Sequence, residues 1–167
     1  INANSSFKAS AVKMTQFLHL LTNQTIGLPT DLWVPVTDRI APQQAWQVAA
    51  GYAHVLRNGL NLSVEGYYKD LQNLIEYKEG ATFFSANVDW QDKVTTGRGW
   101  AYGTELLLEK KEGNTTGWLG YTLAWANRQF DAVNSGNPYP FTYDRRHDVS
   151  LVVNHRITDK WTAGMVW

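Results

Sequence analysis

The feature that most constrains this chain is a two-residue alternation of side-chain character along several long segments. In residues 46–57 the even positions are mostly large and apolar, whereas the odd positions up to residue 53 are Gln47, Ala49, Gly51 and Ala53. The same separation recurs in residues 60–69, 102–109, 119–126 and 146–157. This period predicts β-strands whose two faces meet different surroundings. Helical signals are weak, and the best of them, at residues 14–21, has no clear cap or stop.

Short and long connections alternate between these segments. Asn58-Gly59 predicts a tight hairpin turn, and further short turns are expected at residues 112–115 and 158–160. Long connections are expected at residues 18–45, 71–99 and 129–145. The predicted strands, about 10–12 residues long, are close to the roughly 9–11 that cross a bilayer and longer than those of soluble proteins. Transmembrane β-barrels show this asymmetry, with short periplasmic turns and long extracellular loops.

Aromatic residues lie near the ends of the predicted strands, which fits the girdles of a transmembrane barrel. The chain has eight Trp and eight Tyr. With the short turns on the periplasmic side, the outer strand ends carry Trp46, Tyr68, Trp100, Tyr102 and Trp125, and the inner ends carry Trp118 and Trp161. A general preference of Trp and Tyr for strands explains their presence, but explains their placement less well.

Composition excludes several function classes. Lys+Arg and Asp+Glu are both 15, so the net charge is zero and no basic patch predicts a nucleic-acid partner. The absence of cysteine excludes disulfides and thiolate metal sites. No apolar run is long enough for a transmembrane helix, and the first residues lack a signal-peptide pattern.

The sequence also gives no sign of a catalytic or metal centre. His147 and His155 share a predicted face, but eight strand residues separate them by about 26 Å. No Ser-His-Asp arrangement or nucleophile elbow is present. We therefore expect a protein that is not an enzyme and that has no metal and no cofactor.

Several segments resemble the barrel of TonB-dependent outer-membrane receptors. They include "APQQAWQVAAGYAHVLRNGLNLSVEGYYKDLQNLIEY" (41–77) and "GRGWAYGTELLLEKKEGNTTGWLGYTLAW" (97–125). The others are "YDRRHDVSLVVNHRITDKWTAGMVW" (143–167) and "PTDLWVP" (29–35). The motifs are short, and their order and spacing carry the resemblance.

The resemblance implies that residues 1–167 are part of an antiparallel transmembrane β-barrel of about 22 strands, of which about seven are visible here. It implies a plug domain inside the barrel, and we expect the plug and the signal peptide to be absent from this piece. The implied function is uptake of a scarce nutrient, such as an iron chelate, a cobalamin, a glycan or a peptide, across the outer membrane of a Gram-negative bacterium. The implied partners are outer-membrane lipid, the plug, the remaining strands and the energy-supplying TonB complex.

Two other functions stay open at this point. A passive porin-like channel shares the strands, girdles and loops. A soluble, aromatic-rich β-sandwich that binds carbohydrate predicts shorter strands and no strict alternation of loop lengths.

Two groups of residues are candidates for functional contacts. Aromatics on the predicted extracellular loops stack on ligands or pack the loops together; they are Trp33, Phe83, Phe84 and Trp90. Residues predicted to face the lumen or the plug are Glu65, Glu105, Leu107, Arg128 and Arg156. The alternation of side chains along the predicted strands places no charged residue on the predicted lipid face. The charged run at residues 143–148 is predicted to hold a loop–strand junction through local Asp–Arg pairs.

Overall fold

A computed structural model describes residues 4–21, 32–81 and 89–167 of the chain. The prediction of an all-β chain is confirmed, because these residues form ten strands and only three single-turn 3-10 segments. The strands are β1 (Ser5–Gln16), β2 (Leu18–Leu21), β3 (Leu32–Pro35), β4 (Gln43–Val55), β5 (Leu60–Tyr77), β6 (Val94–Lys110), β7 (Thr115–Phe130), β8 (Tyr139–Pro140), β9 (His147–Arg156) and β10 (Thr162–Val166). Within the described ranges, no helix is long and apolar enough to span a membrane.

One large antiparallel sheet dominates the fold. Its strand order is β1-β4-β5-β6-β7-β9-β10, and the short β8 pairs with β7 beyond β9. The strands β2 and β3 form a separate two-stranded sheet. In the described part of the chain the large sheet is open, since β1 and β10 lie at opposite ends of the order and do not pair.

The weak helical signal at residues 14–21 does not correspond to a helix. This region contains the end of β1 and all of β2, and β1 pairs with β4 over its whole length from Ser5↔His54 to Gln16↔Gln43. Continuous pairing with β4 satisfies the backbone groups along one edge of β1, and this tertiary pairing overrides the local apolar cluster.

The register defines two distinct faces of the large sheet. We call apolar face the one that carries the row Phe7, Tyr52, Val64, Leu106, Tyr121 and Val149, which are paired across six strands. We call polar face the one that carries the next row, Lys8, Gly51, Glu65, Glu105, Thr122 and Asp148. Because side chains alternate along each strand, every paired row belongs to one face.

The alternation of short and long connections is confirmed. Short turns occupy residues 56–59, 111–114 and 157–161, and the turn after β4 has positive φ at both Asn58 (61°) and Gly59 (67°). Long connections occupy residues 17–42, 78–93 and 131–146 and meet at the opposite end of the sheet, which we call the long-connection end. The middle connection is shorter than predicted because β5 and β6 extend to Tyr77 and Val94.

A β-bulge explains how β5 extends so far. The register shifts between Leu71 and Leu74, and Asn73 adopts a left-handed conformation with φ of 57°. The side-chain amide of Asn73 donates a hydrogen bond to the Pro42 carbonyl at 2.9 Å. The extra residue reverses the parity of β5, so that Glu76 lies on the polar face.

The buried apolar core is small and lies at the long-connection end. It consists of Leu21, Val34, Ile40, Ile75 and Val94, with Leu32, Tyr77 and Trp90 packed against it. This cluster joins the two-stranded sheet to the ends of β5 and β6. Many other large apolar side chains of the described residues are exposed, including Phe7, Trp46, Val48 and Tyr52.

Candidate ligand-binding cleft

A cleft of 610 Å³ opens at the long-connection end of the polar face. Its lining includes Met14, Gln16, Trp33, Gln43, Ala45 and Lys69. Met14 pairs with Ala45 and Gln16 pairs with Gln43, so the ends of β1 and β4 form its floor. We refer to this space as the Trp33 cleft.

Because side chains alternate along β3, the side chain of Trp33 is exposed. Val34 is 4 % exposed because it packs into the apolar core, whereas its neighbour Trp33 is 57 % exposed. The core thus anchors β3 through one residue and presents the indole of the next one on the opposite side. A fixed strand carrying an exposed indole provides a rigid platform for stacking.

The chemistry of the Trp33 cleft combines flat apolar surface with amide groups and one cation. The exposed ring of Phe17 adds a second aromatic surface near the indole of Trp33. Gln16 donates a hydrogen bond from Nε2 to the Leu18 carbonyl at 2.6 Å, and Gln43 supplies a second amide. Among the described residues, Lys69 is the only charged residue of the lining, and none of them contributes a carboxylate. Such a surface suits a ligand with a flat ring and hydrogen-bonding groups.

A second cleft of 330 Å³ adjoins the first and shares Gln16, Trp33 and Gln43 with it. Its far wall contains Arg128, Phe141 and Tyr143. The two spaces therefore form one branched groove with Trp33 at the junction.

Arg128 is held by a cluster of residues rather than left free for a ligand. Its Nη1 lies 3.4 Å from Glu76 Oε2, and its guanidinium lies 3.5 Å from the ring centroid of Phe141. The Tyr139 hydroxyl donates to the same Glu76 oxygen at 2.8 Å. These contacts attach the 131–146 connection to the polar face, because Tyr139 and Phe141 belong to it and Glu76 belongs to β5.

The environment keeps Tyr139 protonated as a hydrogen-bond donor. Burial raises the pKa of its phenol, and the hydrogen bond to the Glu76 carboxylate and the negative charge of that group raise it further. The phenol is therefore neutral throughout the physiological range and can donate to Glu76.

His19 is the least exposed polar residue beside the groove, at 1 % exposure. Its Nε2–H donates to the Ala41 carbonyl at 3.0 Å, while Nδ1 is buried without a hydrogen-bond partner. Burial lowers the pKa of His19, although the contact with the Ala41 carbonyl opposes this effect. A neutral imidazole suits this position, because a second proton on Nδ1 would be buried without an acceptor.

An ion pair and a hydrogen bond join two of the long connections to each other. Arg39 pairs with Asp92, which raises the pKa of the guanidinium and lowers the pKa of the carboxyl group. The hydroxyl of Thr37 donates to Gln91 at 2.7 Å beside this pair. These contacts link the β3–β4 connection to the β5–β6 connection.

The charged run at residues 143–148 forms the local pairs that the sequence predicts. Arg146 lies 2.8 Å from Asp144, and Arg145 lies 3.9 Å from Asp148. Asp144 also accepts a hydrogen bond from the backbone N–H of Ala126 at 2.8 Å, which fixes the junction against β7.

The candidate loop aromatics have different positions. Trp33 lies in the groove, whereas Trp90 is half-buried against the apolar core and packs the connections together. Phe83 and Phe84 lie outside the described residues.

All five residues predicted to face the lumen share the polar face by register, but they do not form one site. Glu65 pairs directly with Glu105 in mid-sheet, and Leu107 is exposed one row further toward the short turns. Arg128 lies at the long-connection end. Arg156 lies at the opposite end, where it donates to the Asn114 side chain at 3.0 Å. Only Arg128 borders the groove.

Trp118 differs from its predicted role in an interfacial girdle. It pairs with Glu109 and Val152, so it occupies the polar face and not the apolar one. Its indole lies over Gly120, whose missing side chain leaves room for it.

Sequence reasoning missed most of the groove. Gln16 and Gln43 have no distinguishing pattern, and they meet only through the pairing of β1 with β4. Glu76 was missed because the bulge that turns it toward Arg128 has no clear signature in the sequence. The aromatic run around Phe141 and Tyr143 is the one signal that draws attention to the far wall.

Comparison with protein-family models finds no match, and searches of curated proteins and of solved structures find no significant similarity. Among the described residues, no group of three or more His, Cys, Asp or Glu side chains is arranged to hold a metal ion.

Proposed function

We propose that this chain forms part of the wall of an outer-membrane receptor that takes up a scarce nutrient with energy from a TonB complex. The observation that carries the membrane part of this proposal is an uncharged band across the apolar face of the large sheet. In this proposal the band contacts membrane lipid, and the groove at its end contacts the transported ligand.

The band consists of four successive rows of paired residues. Besides the row that defines the apolar face, the rows are Ala11–Val48–Tyr68–Tyr102–Trp125, then Ala9–Ala50–Gly66–Thr104–Leu123–His147, and Ser5–His54–Leu62–Leu108–Leu119–Leu151. None of these positions is Asp, Glu, Lys or Arg. The nearest charges are Lys13 and Asp70 on one side and Lys110 on the other.

The height of the band matches the hydrocarbon layer of a bilayer. Trp100 lies in the row of Asp70, and ten residue steps of β6 separate it from Lys110. At about 3.4 Å per residue this is about 34 Å along the strand. With the tilt of about 40° usual in transmembrane barrels, the vertical height is about 26 Å, close to the apolar belt of such barrels.

Polar side chains within the band are paired with one another. The ring Nδ1 of His147 shares a hydrogen bond with the Tyr121 hydroxyl at 2.9 Å, and that of His54 shares one with the Ser5 hydroxyl at 2.7 Å. Internal pairing of this kind lowers the cost of placing such groups in lipid.

The opposite face suits a hydrated interior. It carries Lys8, Glu65, Glu105 and Asp148 in a single row. Like charges directly opposite each other, as in Glu65 and Glu105, are unfavourable unless water or a partner solvates them. We assign this face to the lumen, where it meets the plug, and the free edges of β1 and β10 to the remaining strands of the barrel.

The groove provides the ligand contact in this proposal. It lies on the lumen face at the long-connection end, which is the extracellular end in the proposed orientation. Trp33 is the stacking platform, and the amides of Gln16 and Gln43 supply polar contacts. The energy coupling and the ligand classes (iron chelate, cobalamin, glycan or peptide) rest on the resemblance of residues 41–77, 97–125 and 143–167.

The alternatives receive less support. Strands of 16 to 18 residues in β5, β6 and β7 do not match the short strands that a soluble carbohydrate-binding sandwich predicts. A passive porin-like channel shares the sheet and its band, and no specific observation favours it over a receptor.

An uptake experiment distinguishes the receptor from the channel. The intact receptor is expressed in a Gram-negative host, and uptake of the four ligand classes is measured with and without a functional TonB complex. Saturable uptake that disappears without the complex supports the proposal, whereas uptake that persists and grows linearly with concentration supports a passive channel.

A pair of tryptophan variants tests the groove in the same cells. We expect Trp33→Ala to weaken binding of the transported ligand by about fivefold or more, since stacking on an aromatic platform is worth at least about 1 kcal/mol. Trp161→Ala is the control, because Trp161 is also strongly exposed but lies at the short turn 157–161. Equal effects of the two substitutions contradict the assignment of the groove.

A further inference from the structure

Three cationic side chains lie over three tryptophan rings at the long-connection end. Lys13 Nζ lies 5.4 Å from the ring of Trp46, Arg98 lies 6.0 Å from that of Trp100, and Arg146 lies 4.9 Å from that of Trp125. A cation within about 6 Å of an indole face is attracted by its electron density and held in place. We call these three pairs the cation–tryptophan rim.

The rim lies on the apolar face and borders the uncharged band. Trp46 and Trp100 are in the row immediately above the band, and Trp125 is in its uppermost row. Neighbouring strands are about 4.8 Å apart, and three such spacings separate β1 from β6, so Lys13 and Arg98 lie about 14 Å apart across the sheet. The short-turn end of the apolar face has no comparable cation–aromatic pair among the described residues.

Two of the three cations lack an acidic partner. Within the described ranges, neither Lys13 nor Arg98 forms an ion pair, and Arg98 only donates to the neutral Gln129 side chain at 2.8 and 3.1 Å. Arg146 shares its charge with Asp144. Among the described residues, Asp70 is the one carboxylate in the row of Trp46 and Trp100, and it accepts a hydrogen bond from Gln72 at 3.0 Å.

We propose that the cation–tryptophan rim binds the phosphate groups of anionic lipid headgroups in the leaflet at the long-connection end. The proposal rests on the membrane position proposed above, since only that position brings the rim to headgroup height. The indoles lie at the boundary between hydrocarbon and water, which is where tryptophan is enriched in membrane proteins. The unpaired charges of Lys13 and Arg98 then meet phosphates, to which guanidinium and ammonium groups donate charge-assisted hydrogen bonds.

The pairing also positions the cations without acidic partners. Each indole holds the aliphatic stem and the charge of one cation above the band, so less conformational freedom is lost when a phosphate binds. The negative charge of Asp70 opposes the binding of phosphate. Removing that charge is therefore expected to strengthen binding to anionic lipid.

Vesicle partitioning tests the proposal. The intact receptor is titrated with vesicles of phosphatidylcholine and with vesicles of an equimolar mixture of phosphatidylcholine and phosphatidylglycerol, and insertion is followed by tryptophan fluorescence. A basic residue near an anionic surface strengthens binding by about fivefold. We therefore expect the Lys13→Gln/Arg98→Gln double variant to lose about 25-fold of the preference for anionic vesicles, and Asp70→Asn to increase this preference.

A matched variant separates a site from diffuse attraction. Lys110→Gln/Lys160→Gln removes the same charge at the short-turn end, and we expect it to change the preference by less than twofold. Equal losses in the two double variants, or no preference for anionic vesicles in the unmodified chain, overturn the proposal while leaving the membrane position intact. Failure to insert into either kind of vesicle contradicts the membrane position itself, and the rim proposal with it.

Discussion

Replacing Leu106 with arginine is the most informative single perturbation of the large sheet. Leu106 lies on the apolar face, six residue steps from Trp100 and four from Lys110. The midpoint between these boundaries is one residue away, so the Leu106 side chain lies within about 3 Å of the proposed midplane after correction for tilt. An arginine at the midplane of a transmembrane barrel costs about 2–4 kcal/mol, whereas one near the interface costs about 0–1 kcal/mol.

Leu107→Arg is the matched control for this perturbation. Leu107 is the next residue of the same strand, lies on the polar face, and is 42 % exposed. Its cross-strand partners are the small, uncharged residues Ser63 and Gly120. We expect Leu107→Arg to cost less than about 1 kcal/mol, because its charge remains in water.

The assay is denaturant-induced unfolding of the intact receptor and of both variants in lipid vesicles. We expect the free energy of unfolding to fall by about 2–4 kcal/mol for Leu106→Arg and to change little for Leu107→Arg. If the two substitutions cost the same, or if Leu107→Arg costs more, the assignment of lipid to the apolar face is refuted.

Three further predictions concern the groove and its supports. Trp33→Ala is expected to change the free energy of unfolding by no more than about 0.5 kcal/mol, whereas Val34→Ala removes buried methyl groups and costs about 2 kcal/mol in the same denaturation assay. Glu76→Gln leaves the half-buried Arg128 without its charge partner and is expected to cost about 1–3 kcal/mol by the same measurement; an unchanged midpoint would show that the pair does not hold the 131–146 connection. His19 has a pKa lowered by burial, so the folded state resists protonation while the unfolded state binds a proton below the ordinary value of 6.5. Stability is therefore expected to be full above pH 6.5 and to decrease as the pH falls below it, until the pH passes the lowered pKa. His19→Gln should remove that part of the slope, and an unchanged slope would contradict the role of His19.

The strands of the large sheet could be predicted from sequence because each face of a strand has its own environment. In β4 to β7 large apolar residues recur at every second position, and one register alone keeps them together on one face. The short turns have local signals as well, as Asn58 and Gly59 both adopt the positive φ that their residue types tolerate. Periodicity and turn chemistry are local properties, so a sequence displays them directly.

The parts that could not be predicted depend on contacts between distant residues. In β1, Phe7 shares its face with Lys13, while Lys8 shares the other face with Val12 and Met14, so this edge strand shows no clear alternation. The four-residue strands β2 and β3 are too short for a periodic signal, and they are stabilised by burial of Leu21 and Val34 against Ile75 and Val94.

In the groove, too, some residues could be predicted from the sequence and others could not. Trp33 was a candidate because a large aromatic in a predicted loop is conspicuous, but its exposure follows from the burial of Val34 beside it. Gln16 and Gln43 come together only through strand pairing, and Glu76 reaches Arg128 only because of the bulge at Asn73. Side chains that are assembled by register have no sequence signal of their own.

Site-directed spin labelling along β6 tests the central claim most directly. The chain contains no cysteine, so single cysteines can be introduced at residues 101, 102 and 104–108 without background labelling. Residue 103 is omitted because a side chain there would approach the Leu123 carbonyl oxygen to within 2.7 Å. With the labelled chain in its intact receptor in lipid vesicles, we expect labels at 102, 104, 106 and 108 to be accessible to dissolved oxygen, and labels at 101, 105 and 107 to a water-soluble relaxation reagent. The opposite phase, or equal accessibility at neighbouring positions, would contradict a sheet with lipid on one face and water on the other.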